Sequence, residues 1–236
     1  MNRINLSNFF YNFFPDICYL CKNKKNISAK LCPDCREKIP IIKEPICPGC
    51  GGENDGILEL CPKCLKEDPR PWSQAIAISN YINPIDQIIK DFKYNGKTYY
   101  AKLLGELASE ILIQRKVRAD YIVPIPLHWT RQFIRGYNQS QLIADVISIK
   151  TKIPILNLLK RVKKTPKQAN LSREERKKNL NNAFKLNDFK RAKFKIGTIV
   201  LFDDVLTTGS TLESAALTIL DANICEKINI LVIARG

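Results

Sequence analysis

Long apolar runs are missing from this chain. Nowhere in its 236 residues is there a stretch approaching the roughly 20 apolar residues that cross a bilayer as a helix. The opening MNRINLSNFFYNFF is aromatic but broken by Asn and Ser, and no small-residue cleavage site follows it. It reads as an amphipathic helix that packs on the protein or on a partner, not as a signal peptide, so a cytoplasmic protein with no transmembrane segment is expected. Histidine is almost absent. His128 is the sole one, in a predicted loop with no partner visible in the sequence, and reads as incidental. A Walker-type phosphate loop is absent as well. The segment Asp91-Phe-Lys-Tyr-Asn-Gly96-Lys97-Thr98 ends like one, but Asp91 stands where the motif needs its first glycine. It also lies between two predicted helices, where a strand-to-helix turn is required. Gly96 reads as a helix stop.

What is present suffices for a real core. Hydrophobic residues make up 45% of the chain, too many for general disorder, and the length suits one medium domain plus a small one. The formal charge of +15 is unevenly spread: residues 160–195 hold 14 Lys or Arg against three acids, whereas residues 1–72 carry a net charge of only +2. Acid scarcity in one stretch suits an anionic partner (nucleic acid, a phosphorylated substrate or an acidic membrane), and a plain solvated basic face is the alternative.

Eight of the nine cysteines form four C-x-x-C pairs, Cys18/Cys21, Cys32/Cys35, Cys47/Cys50 and Cys61/Cys64. Two such knuckles joined by a short ribbon supply four thiolates in a tetrahedron, the donor set of a closed structural zinc site. Two Zn²⁺ ions are therefore expected. Sequential pairing is the simplest assignment, and a cross-braced one is also compatible with the spacing. Repetition of the pair and the expected compartment argue against disulfides. So small a module must draw much of its folding energy from metal. The ninth cysteine, Cys225, reads as a small buried hydrophobe.

The proline-punctuated Lys66-Glu-Asp-Pro-Arg-Pro71 reads as a linker, dividing residues 1–70 from 71–236. Beyond it, strands are expected over Trp72–Tyr81, Asp120–Pro126 and Ile228–Ile233. Helices are expected from Pro84 through Phe92, from Tyr100 through Leu112, and over Gln139–Ile149. Strands alternating with helices argue for a mostly parallel α/β sheet flanked by helices.

Near the C-terminus, the apolar strand Ile196–Phe202 is followed by Asp203, Asp204, then Thr207, Thr208, Gly209, Ser210 and Thr211, and then an apolar helix. A loop feeding a helix N-terminus offers unpaired N–H groups and the positive end of the helix dipole, which suit a phosphate. Gly209 allows close backbone approach, and the carboxylates stand at the strand's carboxyl end, able to accept hydrogen bonds from ribose hydroxyls. The segment resembles the 5-phosphoribosyl-1-pyrophosphate (PRPP) loop of type I phosphoribosyltransferases. A second candidate anion loop follows Pro126: Arg131 and Arg135 offer forked donors and Asn138 can cap the next helix.

The four knuckles, VPIPLHWTRQFIRGYNQSQLIA, RVKKTPKQANLSREERKKNLNNAF, VLFDDVLTTGSTL and the terminal IARG together resemble the ComF family, phosphoribosyltransferase-like proteins associated with DNA uptake in competent bacteria. Arg135, Gly136, Asn138 and Gln139 fall on its R-G-x-N-Q segment, and Gln168, Leu171, Arg176, Asn179 and Phe184 on the pattern that follows. The resemblance implies a type I phosphoribosyltransferase-like fold behind a double zinc ribbon. It also implies a PRPP-like ligand with Mg²⁺, single-stranded DNA as a partner, and contact with a competence helicase or recombination mediator. Lys160, Arg161, Lys163, Lys164, Lys167, Arg173, Arg176, Lys177 and Lys178 are the DNA-contact candidates in the basic arm, where aromatics are few. An active phosphoribosyltransferase and a non-catalytic scaffold are the alternatives. No acceptor signature names a purine, pyrimidine or amine.

Overall fold

A computed structural model describes residues 17–23, 31–163, 183–187 and 196–236. Its centre is a four-stranded sheet built from β1 (Gln74–Asn80), β2 (Tyr121–Pro124), β5 (Ile196–Leu206) and β6 (Cys225–Arg235), in the order β1-β6-β5-β2. All three pairings are parallel, with Leu201 opposite Ile230 and Val123 opposite Leu201 in register. Side chains alternate across each strand, so both faces need cover, and the central strands are correspondingly apolar. On one face Ile76, Ile78, Val200, Phe202, Leu231 and Ile233 pack with α3 (Ile85–Tyr94), α4 (Tyr100–Gln114) and α6 (Gln139–Thr151). On the other, Ala75, Ala77, Ile199, Leu201, Ile230 and Val232 meet α7 (Ser210–Asp221). In α3 the residues Ile85, Ile88, Ile89 and Phe92 are fully buried, the stripe their helical spacing predicts. Gly105 of α4 allows the close approach of α6, since a Cβ there would meet Val146 at 2.5 Å. Cys225 is buried at the start of β6, as its apolar surroundings predicted.

The cysteine module is clipped over the exposed edge of β1. Ile42 N–H donates to Ile78 O (2.9 Å), Ala75 N–H to Pro48 O (2.7 Å), and the Ser79 hydroxyl to Pro40 O (2.9 Å). Its two halves part company at that edge. Cys18, Cys32 and Cys35, with α1 (Pro33–Glu37), join the core on the α4 face. Cys47, Cys50 and Cys64, with α2 (Pro62–Leu65), join the core on the opposite face.

Several expectations are amended. β5 runs on to Leu206, so Asp203 and Asp204 lie within a paired strand and not beyond its end. Residues 129–135, expected as loop, form the helix α5 (Trp129–Arg135), with His128 as its cap. Two short strands, β3 (Leu159–Arg161) and β4 (Phe184–Leu186), pair antiparallel inside the basic stretch. Gly96 (φ +63°) sits in the turn between α3 and α4, where Lys97 is tied to Asp91 at 2.8 Å, so this segment is no phosphate loop. The N-terminal aromatic segment lies outside the described residues.

Candidate functional site

Each knuckle pair gathers its sulfurs. Cys18, Cys21, Cys32 and Cys35 form one group and Cys47, Cys50, Cys61 and Cys64 the other, with ligand atoms in each all within 4.8 Å of one another. The pairing is thus sequential, and no cross-brace is formed. Cys21 and Cys32 sulfurs stand 3.7 Å apart, and Cys50 and Cys61 sulfurs 3.8 Å apart. A tetrahedron of Zn–S bonds of about 2.3 Å has an edge of about 3.8 Å. All eight cysteines are free thiols, and the donor set suits Zn²⁺ with no coordination position left open for substrate. Cys61 N–H donates to Cys47 Sγ (3.3 Å), the kind of outer contact that orients a thiolate ligand.

The carboxylates occupy the carboxyl end of the sheet. Asp204 is buried and ion-paired with Lys93 of α3 (Nζ–Oδ1 2.8 Å), while its Oδ2 has no hydrogen-bond partner among the described residues. Asp203 accepts from the Ser140 hydroxyl (3.0 Å) at the start of α6 and from Asp204 N–H (2.9 Å). Desolvation, reinforced by the neighbouring Asp204 charge, pushes Asp203 up to about 6. Desolvation works against the Lys93 ammonium, but Asp204 and Asp203 outweigh it and hold its pKa above the usual value.

The loop that follows opens α7. Gly209 adopts φ +81° at the helix cap, and the Thr208 and Ser210 hydroxyls share a hydrogen bond of 2.9 Å. Behind the loop lies Arg70, from the stretch read as a linker. Its guanidinium donates to Thr208 O (3.2 Å), pairs with Glu67 (2.5 Å) and Glu213 (3.6 Å), and covers the Trp72 ring at 5.3 Å. Trp72 in turn donates to Gly49 O (3.1 Å), inside the Cys47–Cys50 knuckle. A Cβ at Gly209 would meet Arg70 Nη1 at 2.9 Å. The second metal group is therefore connected to the Thr207–Thr211 loop through two side chains.

Arg161 belongs to this site. It lies over the Phe184 ring at 5.4 Å, and desolvation and the Arg131 charge lower its pKa while Asp203 opposes the shift. Arg161 thus lies within electrostatic reach of both Arg131 and Asp203. Arg135 is engaged elsewhere: its guanidinium bonds Gln139 and sits 5.5 Å from the Tyr94 ring centroid. Asn138 caps α6 as expected, accepting from Ser140 N–H at 3.1 Å. His128 caps α5, its Nδ1 accepting from Thr130 N–H at 3.3 Å.

A family model described as a double zinc ribbon domain matches residues 10–67. Competence protein F of Haemophilus influenzae is 36% identical over 210 residues, covering 85% of this chain and 89% of that protein. The chain belongs to the ComF family. The DNA utilization protein YhgH of Escherichia coli strain K12 is 30% identical over 213 residues, covering 87% of this chain and 91% of its own length. Among solved structures, the adenine phosphoribosyltransferase of Leishmania tarentolae superposes with a TM-score of 0.40 at 13% identity, over 72% of this chain and 94% of that one. A superposition that loose carries no argument.

For this ComF family chain, sequence reasoning singled out the carboxylates and the hydroxyl loop as one segment and Arg131, Arg135 and Asn138 as a second loop; the fold sets the carboxylates just ahead of the hydroxyl loop, with Arg161 within electrostatic reach of Asp203 and of Arg131. It missed Lys93, Ser140 and Arg70, which arrive from other elements. Only Ser140 had a signal, since it directly follows the Asn138-Gln139 pair. Lys160 and Lys163 are exposed on and just after β3. Lys164, Lys167, Arg173, Arg176, Lys177 and Lys178 lie outside the described residues, as do Gln168, Leu171 and Asn179. Among the described residues no helix is long and apolar enough to cross a membrane.

Proposed function

We propose that this ComF family protein is an accessory of DNA uptake that binds PRPP at the β5–α7 edge and single-stranded DNA on its basic surface. One observation carries the PRPP reading. Asp204 presents a buried, unpartnered Oδ2 beside a second carboxylate, directly ahead of a loop that starts a helix. A buried acceptor without a donor is costly unless a ligand supplies one, and vicinal ribose hydroxyls offer two donors. The Thr207–Thr211 turn takes the 5′-phosphate through backbone N–H groups and hydroxyls. Arg131 and Arg161 suit the diphosphate, with which Mg²⁺ enters as part of the ligand. The names of the relatives, a competence protein and a DNA utilization protein, support the DNA half of the reading.

Calorimetry with PRPP and Mg²⁺ tests the ligand. Wild type binds, and the Asp203→Ala, Asp204→Ala double variant folds but does not. Equal affinity in both would overturn the ribose assignment. Phosphoribosyl transfer is the second reading. It is favoured by the desolvated carboxylate pair, which would stabilise positive charge developing on the sugar as diphosphate leaves. Diphosphate release in the presence of a panel of bases and amines would establish it, and no release with any acceptor would leave a binding protein.

A further inference from the structure

Helix α5 is turned the wrong way for an ordinary surface helix. An amphipathic helix buries its apolar stripe, yet none of the residues of Trp129–Arg135 is buried. Trp129, Phe133 and Ile134 are 71%, 87% and 84% exposed. Trp129 and Phe133 stand four positions apart, so their rings share one face about 6 Å apart along the axis. The buried His128 ring lies 5.6 Å from the Trp129 ring and backs it. Arg131 and Arg135 project from the other side of the same helix.

The surroundings decide what such a surface meets. Between Tyr121 and Lys163 the sequence has seven Lys or Arg and a single acid, Asp145. Arg161 on β3 senses the Arg131 charge, so this basic strand lies near α5. A protein partner of mixed charge would find almost no anionic counterpart here. A polyanion that also exposes flat apolar faces matches both properties. A duplex hides its base faces, whereas a single strand offers them together with its phosphates.

We infer that Trp129 and Phe133 form a base-stacking platform for single-stranded DNA, with the basic surface around α5 supplying phosphate contacts. The inference rests on the DNA half of the proposed function and adds the site and the mode of recognition. It also places the strand on the helix whose other side borders the carboxylate edge, so DNA and PRPP would occupy opposite sides of α5.

The chain provides its own reporter, since of its two tryptophans Trp72 is buried and Trp129 is exposed. The zinc-loaded full chain is titrated with oligothymidylate and, separately, with an abasic strand of equal charge. Oligothymidylate should quench Trp129 emission and the abasic strand should not. The Trp129→Ala, Phe133→Ala variant should bind oligothymidylate about tenfold or more weakly. Its log–log salt slope should be unchanged, because no phosphate contact has been removed. Binding by wild type with no quench and no loss in the variant would overturn the platform while leaving DNA binding intact. No binding by wild type even at low salt would remove the DNA half of the proposed function itself. Self-association of wild type that the double variant abolishes would assign the surface to a second copy of the chain and overturn the inference.

Discussion

Asp203 and Asp204 are adjacent in β5 yet meet different partners, the first Ser140 and the second Lys93. Lys93 compensates mainly Asp204, and Asp203 keeps a carboxyl near 6 against an ordinary 3.8. Between those two pH values the folded chain holds a proton that the unfolded chain has released, so stability from this group falls as pH rises through that window. Above it, the ionised form opposes folding. Asp203→Asn should therefore raise Tm by about 2–4 °C at neutral pH, the shift that about 1 kcal/mol gives a chain of this size. Thermal unfolding across pH should show the gain shrinking toward pH 4. PRPP affinity should move oppositely, since a ribose hydroxyl donates best to the ionised carboxylate. It should weaken in wild type as pH falls through about 6 and be lost in the variant. A residue that lowers stability where a ligand is expected fits a site held ready for binding.

At the scale of elements, the Thr207–Thr211 loop depends on more than its own hydroxyls. Arg70 holds Thr208 O from behind while also bridging Glu67 and Glu213. Its planar fork serves several acceptors at once, which an ammonium cannot reproduce. Arg70→Met should speed hydrogen exchange at the amides of residues 207–211 and weaken phosphate binding about tenfold, close to the value of one charge-assisted hydrogen bond. Arg70→Lys should restore little of it. The loop's identity was legible because its residues are contiguous, and the zinc groups because each C-x-x-C repeats its spacing. Lys93 and Arg70 were not legible. They reach their partners across 111 and 138 residues of sequence, and nothing local marks either as different from a surface cation. Helix α5 was missed for a related reason. Its seven residues hold only three apolar positions, too short a run for a helical period to stand out.

For the whole molecule, the two metal groups sit on opposite faces of one sheet, with the edge of β1 between them. An uncovered edge strand is a template for pairing with another chain. Chelation should thus do more than unfold a small appendage. It should lower the Tm of the entire chain and produce aggregation that zinc prevents when added first, as scattering during a melt would show. Cys47→Ser should also weaken phosphate binding, through Gly49, Trp72 and Arg70, more than Cys18→Ser does. The strand order β1-β6-β5-β2 adds a temporal side to the same clip. On the ribosome β1 emerges well before its sheet neighbour β6, with β2 and β5 made between them. In the interval the cysteine module is the partner already synthesised, so zinc captured at that stage gives β1 a place to wait.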